Sequence, residues 1–221
     1  MRSIIVKKLS LLFILLLLIG SADIVSAAID GPVMDSINYY NAAVDAASNG
    51  SYEEALTLID ISLSYQPEFL LGLVTKAGIL TALGEYDAAL SILDTAEAVR
   101  PGDPSVLSAK ASVYVNTGRY DDALEAADLA LIKDPDLVEA WILKGTAHGG
   151  LGQYQQELKA SQEALAREPD NPLALLNYQY AADMLSPGQA ERSEGDGEKM
   201  PLSVFSALVA FLVSLVAFRR R

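Results

Sequence analysis

The sequence predicts an all-α fold, an α-solenoid of stacked helix-turn-helix units, on two observations. Gly50, Gly84, Gly118 and Gly152 are spaced by 34 residues, and a tyrosine follows each two residues later: Tyr52, Tyr86, Tyr120 and Tyr154. Pro67, Pro101, Pro135 and Pro169 recur at the same interval of 34. A fixed period of this size marks a repeat array, whose units bury their apolar faces only against their neighbours.

Composition narrows the function classes before any residue is placed. The 221-residue chain has a net charge of −13, no cysteine and one histidine. Setting aside residues 1–27 and 200–221 leaves 10 basic against 28 acidic residues, a net −18. Such a charge argues against nucleic acid and anionic lipid surfaces as partners and favours solubility. Without cysteine there is no disulfide framework, thiol nucleophile or thiolate metal site.

Residues 1–28 read as a secretory signal. Arg2, Lys7 and Lys8 precede the uncharged apolar run from Leu9 to Ile19, and Val25-Ser26-Ala27-Ala28 offers small residues for cleavage. An uncleaved anchor is the alternative, because Ile4 to Val6 could lengthen the apolar run. Residues 29–35 form a short leader.

Units at 36–69, 70–103, 104–137 and 138–171 each hold two amphipathic helices. In the third, Leu107, Ala111 and Tyr114 share one face of a first helix. Gly118 ends it, since glycine adopts positive φ at low cost. Tyr120, Ala123, Leu124, Ala127, Ala130 and Leu131 define the face of a second helix. Pro135 stops that one by pushing the residue before it out of the α region. Ala55, Ala89 and Ala123 are small where the backbones approach closely.

Trp141, Lys144, Gly145, Gly152, Tyr154, Ala164 and Pro169 in the fourth unit resemble the pattern of tetratricopeptide (TPR) repeats. So do Gly84, Tyr86, Ala89, Ala96 and Pro101 in the second. The resemblance covers 136 of the 221 residues. Residues 172–185 resemble the capping helix common in that family, with Asn177, Gln179 and Asp183 supplying polarity. Two positions depart from the pattern: Glu157 stands where the fourth unit should have its small alanine, and Ser62 replaces the later alanine of the first. A carboxylate at a close-packed site should turn out through a shifted helix or find a partner, because an unpaired buried charge is costly.

Residues 186–199 are polar, charged and glycine-containing, and read as a flexible tether. Residues 200–218 follow without a charge, and then Arg219, Arg220 and Arg221 close the chain. As a helix at about 1.5 Å per residue the apolar block spans roughly 28 Å, which matches a hydrocarbon core of about 30 Å. Basic residues at both ends of the chain predict cytoplasmic ends, with everything between them outside. Ser206, Ala210 and Ser214 recur every four residues and could line a seam between membrane helices, giving an oligomer. The apolar tail with its basic end also resembles the sorting signals of prokaryotic surface proteins, which sortase- or archaeosortase-type enzymes cut. The sequence lacks LPxTG, and Ser186-Pro187-Gly188 lies far from the apolar block.

The TPR resemblance implies a right-handed superhelix whose first helices line a concave groove for a protein or peptide partner. Carried over by position, the groove residues are Tyr40, Asn41, Val44, Val74, Thr75, Ser108, Ser112, Glu139, Ile142 and Thr146, with Gly78, Ala109 and Leu143 beside them. Family members that capture chaperone C-terminal carboxylates use Lys, Arg and Asn at such positions; here Asn41 has no matching cations, which argues against that role. Acidic residues such as Asp121, Asp122, Glu125 and Asp128 crowd instead onto second helices, as a solvated convex face.

No enzymatic reading survives this pattern. His148 is the one histidine and falls where the family packs a large side chain, so no histidine pair exists for a metal. The glycines fall at helix turns rather than in a phosphate-binding loop. Glu53-Glu54 and Asp121-Asp122 sit at helix starts, where they complement the helix dipole. Catalytic, cofactor and metal residues are therefore expected to be none. Asn49-Gly50-Ser51 is an N-glycosylation acceptor in the first turn, or simply an Asn-Gly turn. The reading that results is a non-enzymatic interaction scaffold on the outer face of a cell membrane. A sorted surface protein and an accessory subunit of an envelope enzyme or secretion complex are the alternatives.

Overall fold

The structure is a computed structural model that describes residues 31–186, and among them it contains nine helices and no strand. Helix α1 covers residues 31–48. It is followed by α2 (Tyr52–Tyr65), α3 (Leu70–Ala82), α4 (Tyr86–Val99), α5 (Pro104–Asn116), α6 (Tyr120–Lys133), α7 (Val138–Gly150), α8 (Tyr154–Arg167) and α9 (Pro172–Met184). Residues 31–35 of the leader are already helical. The signal, nearly all of the tether, the apolar C-terminal block and the basic end lie outside the described residues. No described helix is long and apolar enough to cross a membrane.

The punctuation residues explain the helix ends. Gly50, Gly84, Gly118 and Gly152 have φ of 79°, 79°, 72° and 73°. At each, the amide one residue later reaches back five positions, as Glu85 N does to the Leu80 carbonyl at 2.9 Å and Arg119 N to that of Tyr114 at 2.8 Å. That is a Schellman closure, which needs a left-handed residue at the glycine. The second helices end instead in extended residues before proline: Arg100 has φ −140° and Asp134 φ −138°. Asp103 and Asn171 cap the helices that begin at Pro104 and Pro172 with side-chain acceptors.

First and second helices form two layers. Within a repeat α3 packs on α4, α5 on α6 and α7 on α8, and each second helix packs on the next first helix. First helices also touch one another, α3 with α5, α5 with α7 and α7 with α9. The seams are built on small residues: Ala55, Ala89, Ala123, Ala127 and Ala164 are all fully buried. Ser62, the anomaly of the first repeat, is matched by a partner: its hydroxyl donates to the Ser36 carbonyl at 2.8 Å, and the Ser36 hydroxyl donates to the Ser62 carbonyl at 3.0 Å.

Each of the first three junctions carries an ion pair from first helix to preceding second helix: Lys76–Asp60, Lys110–Asp94 and Lys144–Asp128. At the fourth junction the equivalent residues are Gln162 and Tyr178. Helix α9 occupies the place of a fifth first helix, and Gln179 and Asp183 stand exposed on it. One period earlier those positions are Gly145 and Gly149, both buried.

Candidate functional site

Seven of the ten positions expected to line the groove are buried: Tyr40, Val44, Thr75, Ser108, Ser112, Ile142 and Thr146. Contact between successive first helices is the reason, since it places these positions in seams. Tyr40 sits edge-on to Phe69 with ring centroids 5.2 Å apart. Thr146 donates to the Ile142 carbonyl at 3.0 Å, and Asn177 Nδ2 from α9 donates to the Thr146 hydroxyl at 2.9 Å. These side chains set the spacing of the layer more than they offer contact area. Asn41, Val74 and Glu139 keep partial exposure, as do Gly78 and Ala109, while Leu143 is buried.

A concavity that sequence reasoning missed lies between two of the turns that join successive repeats. A cleft of about 730 Å³ opens between the turns at 66–71 and 100–105, with Phe69, Leu71, Arg100, Asp103 and Ser105 among its walls. Leu71 is 41% exposed there, on the first turn of α3. Arg100 reaches Asp103 at 3.2 Å within the second turn. Leu71 and Ser105 are one period apart in sequence, a signal available had the second position of each unit been followed.

Glu157 behaves differently from either expectation. Its helix runs unbroken from Tyr154 to Arg167, the residue is fully buried, and neither carboxyl oxygen has a hydrogen-bond partner. Room for it comes from α7, where a Cβ placed on Gly149 would lie 2.7 Å from both oxygens. Burial pushes the carboxyl up to about 8, so the group meets the penalty of burial by holding its proton.

His148 is half-buried, with ring Nδ1 2.7 Å from the Gln153 side-chain oxygen. Glu53, Glu54, Asp121 and Asp122 lie in the first turns of α2 and α6. Among the described residues no three side chains of metal-ligating type come together. Asn49 is exposed beside the first turn glycine. Trp141 donates to the Pro135 carbonyl at 2.9 Å, and Lys144 and Arg167 lie over its ring at 5.5 and 5.3 Å.

Two sequence models described as tetratricopeptide repeat match the chain, one over residues 46–113 and 80–147 and the other over 138–171. Together they reach from 46 to 171, more than half of the 221 residues. No curated protein matches it. Among solved structures, the MamA RS-1 ArsTM double mutant superposes with a TM-score of 0.54 at 18% identity, over 83% of this chain and 96% of that one. The Sgt2 TPR domain from Aspergillus fumigatus gives 0.52 at 22% identity, over 60% and 87%. The first TPR domain of the human RPAP3 protein gives 0.53 at 22% identity, over 59% and 99%. At these identities the likeness is one of fold.

Proposed function

The chain belongs to the tetratricopeptide repeat family, and from that premise we propose that it is a non-enzymatic scaffold. It holds a protein or peptide partner on its first-helix face while displayed outside a cell membrane. The cleft beside Leu71 carries the binding part of this reading: its walls mix Phe69, Leu70 and Leu71 with Gln66, Glu68, Arg100, Asp103 and Ser105, which suits an extended peptide with both apolar and polar side chains. Exposed acids on the second helices, such as Asp121, Glu125 and Asp128, favour keeping that opposite surface in solvent. A photo-crosslinker at Leu71 or Asn41 should capture a partner that probes at Asp121 and Glu125 do not. Capture from the second-helix positions alone would overturn the assignment.

Display outside the membrane rests on the basic residues at both chain ends and the uncharged blocks next to them. The basic end after the apolar tail also favours a second reading, a surface protein whose tail is removed during sorting. Mass spectrometry of the mature protein separates the two. Retention of Arg219 to Arg221 means a membrane helix, and their loss means processing.

A further inference from the structure

We propose that Glu157 is a proton-dependent latch between α7 and α8: with its carboxyl neutral the two helices close over it, and loss of the proton to water drives the side chain outward and loosens the fourth repeat. The geometry is specific to this repeat. The equivalent positions in the other three are Ala55, Ala89 and Ala123, all fully buried and uncharged. Only here does a carboxyl stand in the seam, with Gly149 opposite it and no bond to either oxygen.

The surrounding elements supply no compensating charge. From α7 the facing residue is Gly149, and the adjacent His148 turns its ring to Gln153. On α6, Tyr120 packs against Gly150. From α9, Tyr180 seats against Tyr154, and Asn177 is bonded to Thr146 and to the Ile142 carbonyl. On its own helix, Ser161 donates to the Glu157 backbone carbonyl at 2.8 Å and leaves the carboxyl alone. Burial is the sole cause that holds the proton.

An unfolded glutamic acid releases its proton near 4.5, whereas the folded group keeps it to about 8. Folding between those values takes up a proton. The stability this group contributes is therefore complete below the lower value and is lost as pH rises through the upper one, with the folding equilibrium falling by up to about tenfold per pH unit. Opening would reach beyond the pair, because α7 carries Ile142 and Thr146 and is tied through Asn177 to the cap.

Urea denaturation of the full chain in mild detergent, followed by helical circular dichroism from about pH 5 to about pH 9, tests this against Glu157→Gln and Glu157→Ala. The wild-type midpoint should fall with pH relative to both variants, which have no proton to lose there. Parallel profiles would overturn the latch. Should neither variant fold, carbon-13 carboxyl NMR of the wild type decides: one glutamate titrating above about pH 7 supports it, and complete titration of every carboxyl below about pH 6 refutes it.

Discussion

Lys144 Nζ lies 2.6 Å from Asp128 Oδ1, and this pair is the last rung of a series. Lys110–Asp94 at 3.0 Å and Lys76–Asp60 at 2.7 Å stand one and two periods earlier. Each lysine is three-quarters or more buried along its side chain, while the aspartates are half or more exposed. The stems thus cover apolar surface between repeats and the ammonium groups reach out to the acids.

Replacing the last of these lysines separates charge from packing. Lys144→Met keeps most of the stem and removes the pair, so the expected loss is about 0.5–1 kcal/mol. Urea midpoints at low salt and at about 1 M salt should show the loss shrinking as screening tightens. A loss above about 2 kcal/mol that ignores salt would rule out a screened surface ion pair as what the ammonium contributes at this junction.

Gly149 and Glu157 should be energetically coupled. Gly149→Ala puts a methyl against both carboxyl oxygens and is expected to destabilise by about 1–3 kcal/mol. Adding Glu157→Ala should recover part of that, with a coupling of about 0.5–3 kcal/mol in a double-mutant cycle. Strict additivity would remove the contact from consideration.

Asp103 predicts the opposite pH profile from Glu157. Burial alone would raise its carboxyl, but bonds from the Ser105 hydroxyl and amide, and from Arg100 with its charge, outweigh that and leave it below the ordinary value. With the folded value lowered, its stabilisation is present above the unfolded carboxylate range and fades as pH falls through the folded one. Asp103→Ala should lose about 1 kcal/mol at neutral pH, with less lost in acid. Equal loss at both would show that the charge is irrelevant to the cap.

Ala123→Leu tests the seam within the third repeat. Ala123 is fully buried between α5 and α6, and the larger side chain should cost about 1–3 kcal/mol by overpacking. A thermal melt left where it was would sink the close approach of these helices.

The periodic features were legible because each acts through the local backbone. A left-handed glycine and an extended residue before proline do the same thing wherever they stand, so Gly118 and Pro135 announce their turns. Glu157 was legible as an anomaly, but its burial depended on Gly149, eight residues away on another helix, where glycine left space that any other residue would fill. The groove was only partly legible. Position within a repeat says which face a side chain shares, whereas the closeness of successive first helices decides whether that face is open. Ser108 and Ile142 vanish into the seam for that reason, and Leu71, on a first turn beyond it, stays in the cleft. The lysine and aspartate series was present at the 34-residue interval all along, hidden because like residues on a helix surface are ordinary in isolation.

The three lysine–aspartate junctions share one format, which makes them interchangeable. Excision of residues 104–137 would bring Asp94 opposite Lys144, and duplication of that unit would bring its Asp128 opposite a second Lys110. The junction with α9 breaks the format, with Gln162 and Tyr178 in place of the pair. The array can therefore change length by gain or loss of interior units while both termini keep their neighbours, so that the span of the partner-facing surface and the identity of the ends are free to evolve separately.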